Sequence, residues 1–195
     1  MKKPMKKPKP LNVEFYDRPT LEVARDLIGC SLIRETSTGV FAARIIETEA
    51  YIGEGDKACH ASKGRTPRTE VMFGRPGVAY VYLIYGMYHC LNLVTERDGF
   101  PAAVLIRGLE AATSCKSFKS LSGPGRLCRE FEITREFNGH DVTQKSGLYV
   151  LPRAENPDEI GQIIQTPRIG VAYAGADALL PWRFILSSPP SRPSR

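Results

Sequence analysis

Five runs rich in β-branched and aromatic residues follow one another with turns and one long loop between them: Cys30–Thr36, Val40–Tyr51, Val78–Tyr85, Tyr88–Thr95 and Ala102–Arg107. Parallel strands need a long crossover, usually a helix, and no regular alternation of strand and helix patterns is present. The chain is therefore expected to fold as an α+β domain built on a mostly antiparallel sheet. Thr38 and Gly39 separate the first two runs, and Gly86 and Met87 separate the Tyr85 and Tyr88 runs, so two hairpins are expected, the second with a two-residue turn. Thr20 as N-cap, Leu21, Ala24, Leu27 and Ile28 at helical spacing and Gly29 as a stop predict a helix over 20–29. A second helix is expected from a Ser122 cap through Leu127 and Phe131, and short strands at Leu148–Leu151, Arg168–Val171 and Arg183–Leu186.

A length of 195 residues fits a single domain. Its apolar residues fall in short runs, none near the ~18 in a row needed to span a bilayer, and Met1 to Pro10 has no apolar stretch behind it. A cytoplasmic, monomeric protein is expected, nuclear in a eukaryote and nucleoid-associated in a bacterium. The net charge of +6 is concentrated at the start, where Lys2, Lys3, Lys6, Lys7 and Lys9 leave 22 basic against 21 acidic residues for the rest. Net charge alone thus does not argue for nucleic acid, and residues 1–11 read as a disordered tail, 12–188 as the body and 189–195 as a Pro/Ser/Arg tail. Cysteines 30, 59, 90, 115 and 128 show no metal-finger spacing, and their odd number fits reduced thiols. The Pro-Cys-x-x-Cys segment of a zinc deaminase is missing as well.

Local clustering is more informative. The glycine-punctuated stretch 52–77 carries Lys63, Arg65, Arg68 and Arg75 against Glu70 in its second half, which reads either as a phosphate track or as a solvated loop. Just before it, the period of two puts Glu47, Glu49 and Tyr51 on one strand face and Ile46, Thr48 and Ala50 on the other. Glu47 and Glu49 would stand ~7 Å apart, inside the range for the acid and base of an inverting sugar hydrolase. On residues alone the two carboxylates are equivalent, and a sugar hydrolase and a nucleic-acid enzyme both remain open.

Glu47-Thr48-Glu49-Ala50-Tyr51, His60, Tyr80-Val81-Tyr82-Leu83-Ile84-Tyr85-Gly86-Met87-Tyr88, Asn92 and Arg107 together resemble the methylpurine-DNA glycosylase family. The resemblance runs in order from Val13 to Ser188 and takes in Phe15-Tyr16-Asp17, Gly123-Pro124-Gly125-Arg126-Leu127-Cys128 and Arg168-Ile169-Gly170-Val171. It implies a curved sheet with surrounding helices, without a helix-hairpin-helix. It also implies a monofunctional enzyme acting on double-stranded DNA that contains damaged purines, without cofactor or metal.

By the same resemblance Glu49 is the base that activates water and Arg107 helps hold that water. Tyr51, Ala58, His60 and Tyr82 form the base pocket, with Asn92 as the selectivity residue. Tyr85 and Met87 enter the duplex, and Lys63, Arg65, Thr66 and Arg68 meet its backbone. No lysine flanks Glu49 on its strand, so an abasic site and no Schiff base is expected. A module that binds damaged DNA without chemistry is the other reading of the same scaffold.

Overall fold

The computed structural model describes residues 8–111, 120–153 and 161–187. Its elements in chain order are α1 (Val13–Tyr16), α2 (Thr20–Asp26), β1 (Ser31–Thr36), β2 (Gly39–Ile52), β3 (Ala79–Ile84), β4 (Tyr88–Val94), β5 (Ala102–Ala111), β6 (Ser120–Ser122), α3 (Pro124–Glu130), β7 (Leu148–Leu151), β8 (Ile163–Thr166) and β9 (Arg183–Leu186). All strand pairings are antiparallel, in the order β3-β4-β5-β2-β1-β7, with β6 on β5, β9 on β2 and β8 on β9. The expected α+β class and both hairpins are formed. No helix among the described residues is long and apolar enough to cross a membrane.

The central pair β2–β5 carries the feature that positions the site. Ile45 faces Leu109, Glu47 faces Gly108 and Thr48 faces Ile106, so Ile46 and Arg107 are skipped by the ladder. At this irregularity both strands also change their outer partners, β2 from β1 to β9 and β5 from β6 to β4. The side-chain parity of β2 shifts with it: Ala43 and Ile45 point into the main core before the bulge, Thr48 and Ala50 are fully buried after it. Bulges re-aim side chains in this way, and here Glu47, Glu49 and Tyr51 are turned to the opposite face. Without the extra residue, the period of two that buries Ala43 and Ile45 would carry both carboxylates into the apolar core.

Several local expectations change. Pro19, not Thr20, holds the N-cap of α2; Thr20 is instead tied by its N–H and hydroxyl to one oxygen of Glu96, each at 2.9 Å. That carboxylate, distant in sequence, takes over the capping. Ser122 ends β6, and Gly123, at φ 96°, caps α3 with Pro124 in its first turn. The β3–β4 turn has three residues, Tyr85 to Met87, because Ile84 pairs with Tyr88. No strand forms over Arg168–Val171; the strand lies at Ile163–Thr166, and Pro167, with no N–H to give the ladder, ends it. Leu11, read as tail, donates its N–H to Val150 at 2.8 Å and packs on the core. Residues 1–7 and 189–195 of the two expected tails lie outside the described residues.

Candidate active site

Glu49 is fully buried, yet it lines a cavity of about 770 Å³. Its Oε1 accepts the Ile169 N–H at 2.9 Å and its Oε2 accepts the Tyr51 hydroxyl at 2.8 Å. Arg107 Nε lies 3.4 Å from Oε1 but donates to Glu47 Oε1 at 2.9 Å. Burial raises the pKa of Glu49 above the usual carboxylate range; Arg107, the Ile169 N–H and the Tyr51 hydroxyl pull against that rise, and the neighbouring Glu47 adds to it. A carboxylate so placed is a better proton acceptor than an exposed one, as a general base requires.

Glu47 is used differently. It does not line the cavity, and its Oε1 takes both Arg107 Nε and Arg183 Nε, the latter at 2.6 Å. The two carboxylates are thus neighbours with one free to face a substrate and the other occupied by arginines, which removes the acid and base pair that a sugar hydrolase would need.

Aromatic residues from three segments enclose the space above Glu49. Tyr51 stands next to the end of β2, Tyr80 and Tyr82 alternate along β3, and His60 opens a 3-10 turn over His60–Lys63. His60 Nδ1 lies 3.0 Å from the Tyr80 hydroxyl, and its ring meets Tyr82 edge to face at 4.5 Å between centroids. Burial, with Arg68 and Lys63 adding to it, lowers the pKa of His60 to about 4, so the imidazole is neutral at pH 7. Asn92, on β4, is buried and commits its amide nitrogen to the Tyr80 and Cys90 carbonyls at 3.1 and 3.4 Å, which pins it at the cavity wall. Ala58 lines the same wall, and its carbonyl accepts the hydroxyl of the exposed Tyr173 at 3.2 Å.

Of the residues singled out from sequence, the cavity gathers Glu49, Arg107, Tyr51, Ala58, His60, Tyr82, Asn92 and Tyr85. Tyr85 is 83% exposed and Met87 65%, so the hairpin tip stands clear of the protein. Tyr85 has φ 52°, a left-handed conformation that is uncommon for a bulky side chain, and shares the turn with Gly86 at φ 70°. Lys63, Arg65, Thr66 and Arg68 lie outside the cavity on its neighbouring loop, and all four are exposed. They are not alike. Arg65 makes a bidentate pair with Glu70 at 2.9 and 2.6 Å, Thr66 is bound into a turn with Thr69, and Arg68 lies over the Tyr82 ring at 5.2 Å. The exposed Arg126 and Arg129 of α3 also line the cavity.

One anchor escaped the sequence reading. Arg168, with a side chain 0% exposed, forms a bidentate pair with Asp56 at 2.6 and 2.8 Å. It also donates to the Ala50 and Asp177 carbonyls and lies 4.9 Å from the Tyr51 and Trp182 ring centroids. It fastens the chain next to Ile169, whose N–H reaches Glu49. Arg168-Ile169-Gly170-Val171 stands in the sequence as a motif, but nothing local announces a partner 112 residues earlier.

A buried, donor-held carboxylate under an aromatic cavity, with a protruding tyrosine and arginines lining it, is an arrangement suited to hydrolysis at a flat ring carried on a polyanion. Comparison with known proteins agrees. The model of the methylpurine-DNA glycosylase family matches residues 14–190. A protein of Methanocella arvoryzae named for 3-methyladenine DNA glycosylase is 59% identical over 182 residues, covering 88% of this chain and 89% of its own. Proteins of the same name from Sodalis glossinidius (51% identical, 89% of this chain and 95% of theirs) and Myxococcus xanthus (50%, 87% and 86%) are also similar. The chain belongs to the methylpurine-DNA glycosylase family, and it is a DNA glycosylase.

Proposed function

We propose that the protein is a monofunctional, monomeric glycosylase that takes a flipped alkylated or deaminated purine from duplex DNA into the aromatic cavity and hydrolyses its N-glycosidic bond. The substrates in view are 3-methyladenine, 7-methylguanine, hypoxanthine and ethenoadenine. The observation that carries this reading is Glu49, buried under the aromatic walls and held on both oxygens by Ile169 and Tyr51. Held in this way the carboxylate cannot swing, so it takes a proton from a water that attacks the anomeric carbon and opposes the positive charge that develops on the sugar. Arg107 borders the same space and orients that water.

The walls suit the leaving base. Aromatic faces of Tyr51 and Tyr82 attract a cationic, alkylated ring, and a neutral His60 adds no repulsion. Asn92 selects among purines from the cavity wall. Tyr85, with Met87 beside it, fills the gap left in the helix, which offsets part of the few kcal/mol needed to extrude a nucleotide. Lys63, Arg68, Arg126 and Arg129 are the cations to meet phosphates; Arg65 is partly neutralised by Glu70, and Thr66 offers a hydroxyl already engaged in its turn. Among the described residues no lysine lines the cavity, which supports a reaction that ends at an abasic site rather than at a strand break.

The test is incubation of the full chain with duplexes carrying a single hypoxanthine or 7-methylguanine, with and without alkali. Strand breaks only after alkali are expected, abolished by Glu49→Gln with binding to the damaged duplex retained. Normal turnover by Glu49→Gln would overturn the mechanism, and breaks without alkali would overturn monofunctionality.

A further inference from the structure

Glu47 is a buried carboxylate that the hydrolytic step does not use. Its Oε1 accepts Nε of Arg107 at 2.9 Å and Nε of Arg183 at 2.6 Å. Both arginines have a second anion at hand. Arg107 Nε is 3.4 Å from Glu49 Oε1, and Arg183 is the direct cross-strand partner of Glu49 where β9 meets β2. Residues directly opposite on antiparallel strands project to the same side of the sheet. Close packing accompanies the arrangement: a side chain on Gly108 would meet Glu47 Cβ at 2.8 Å. Two guanidinium groups stand beside two carboxylates, and the hydrogen bonds go to the one outside the cavity.

We propose that Glu47 is a positioning residue that takes the hydrogen bonds of Arg107 and Arg183, leaving Glu49, among the described residues, with the Ile169 N–H and the Tyr51 hydroxyl as its hydrogen-bond donors. The proposal rests on Glu49 being the general base. Were Glu47 uncharged, both guanidinium charges would bear on Glu49 alone. An opposite charge within ~4–6 Å stabilises a carboxylate and makes it a weaker proton acceptor, so Glu47 protects basicity rather than contacting substrate. The other groups facing Glu49 leave this balance intact: Tyr51 on its own strand is neutral, Arg168 is matched by Asp56, and Cys90 on β4 is an uncharged thiol, its pKa raised by burial.

The experiment is the pH dependence of single-turnover excision on a 7-methylguanine duplex. An alkylated purine already carries positive charge and leaves without being protonated, so the acid limb reports the base. Glu47→Gln keeps the shape and both acceptor contacts but loses the charge; its acid limb should move down by about one pH unit, with a lower plateau and unchanged affinity for DNA. Arg183→Gln should move the limb up, and the double variant Glu47→Gln/Arg183→Gln should return it toward wild type. A purely structural Glu47 would lower melting temperature without ordered, opposite shifts. Unmoved limbs in both single variants, with Glu49→Gln inactive, overturn this proposal alone. Wild-type excision by Glu49→Gln overturns the general base and this proposal with it. If Glu47→Gln fails to fold, the upward shift in Arg183→Gln decides.

Discussion

Replacing Asp56 by Ala is expected to be among the most damaging single changes in the protein, though Asp56 touches no substrate. Its carboxylate accepts both Nη atoms of Arg168 and the backbone N–H groups of Ile52 and Ala58 at 3.2 and 3.0 Å. The Arg168 side chain is 0% exposed, so the variant leaves a guanidinium charge buried with only carbonyls and ring faces around it. Breaking a buried pair from one side costs about 3–5 kcal/mol, against a total stability of roughly 5–15 kcal/mol. At about 2–4 °C per kcal/mol for a domain of this size, the melting temperature should fall by roughly 6–20 °C in a calorimetric scan. The double variant Asp56→Ala/Arg168→Met removes the stranded charge and should regain part of that loss. Its excision rate should stay low, by about 10²-fold, since Ile169 is no longer fastened where its N–H meets Glu49. A fall of less than about 1 kcal/mol in Asp56→Ala, or full excision by the double variant, would refute the reasoning.

Two further outcomes are expected. Because the folded-state pKa of Glu49 is raised, chiefly by burial, its protonation favours the fold at low pH and that advantage is lost as pH rises through the folded value; Glu49→Gln should therefore melt higher than wild type at pH 7, with a difference that vanishes on acidification, and a constant difference would show that charge is not its cause. Tyr85→Asn should relax the left-handed backbone by about 1 kcal/mol, seen as a higher melting temperature, while slowing excision from duplex more than from single-stranded DNA; equal slowing on both substrates would remove Tyr85 from the extrusion step.

The strand pattern of β2 was legible because burial there is decided by neighbours in sequence. The alternation that puts Thr48 and Ala50 in the core and Glu47, Glu49 and Tyr51 on the far face is seen from residue 47 onward. The bulge at Ile46 was not legible, since it depends on a matching irregularity at Arg107, 61 residues later. Pairing across long separations hid other features: β9 returning to β2, Glu96 capping α2, and Arg168 crossing to Asp56. The basic loop shows the converse. Its charges are in the sequence, but that Arg65 answers Glu70 and Arg75 answers Asp141 depends on where the loop folds.

These long-range pairs also decide the electrostatics of the reaction. Glu47, Glu49 and Asp56 are buried with Arg107, Arg168 and Arg183 as their ionic neighbours, three of each sign, and His60 is neutral. These charges are balanced, and Lys63, Arg126 and Arg129, which have no ion-pair partner among the described residues, are outside them on exposed surface. Under the proposed function, DNA would be attracted to the rim without an excess of positive charge inside, where it would oppose both a cationic base and the cation developing on the sugar. Removing any one buried carboxylate upsets that balance in the unfavourable direction. Under the proposed function the site would depend on Glu47 and Asp56 for its charge as much as on Glu49 for its chemistry.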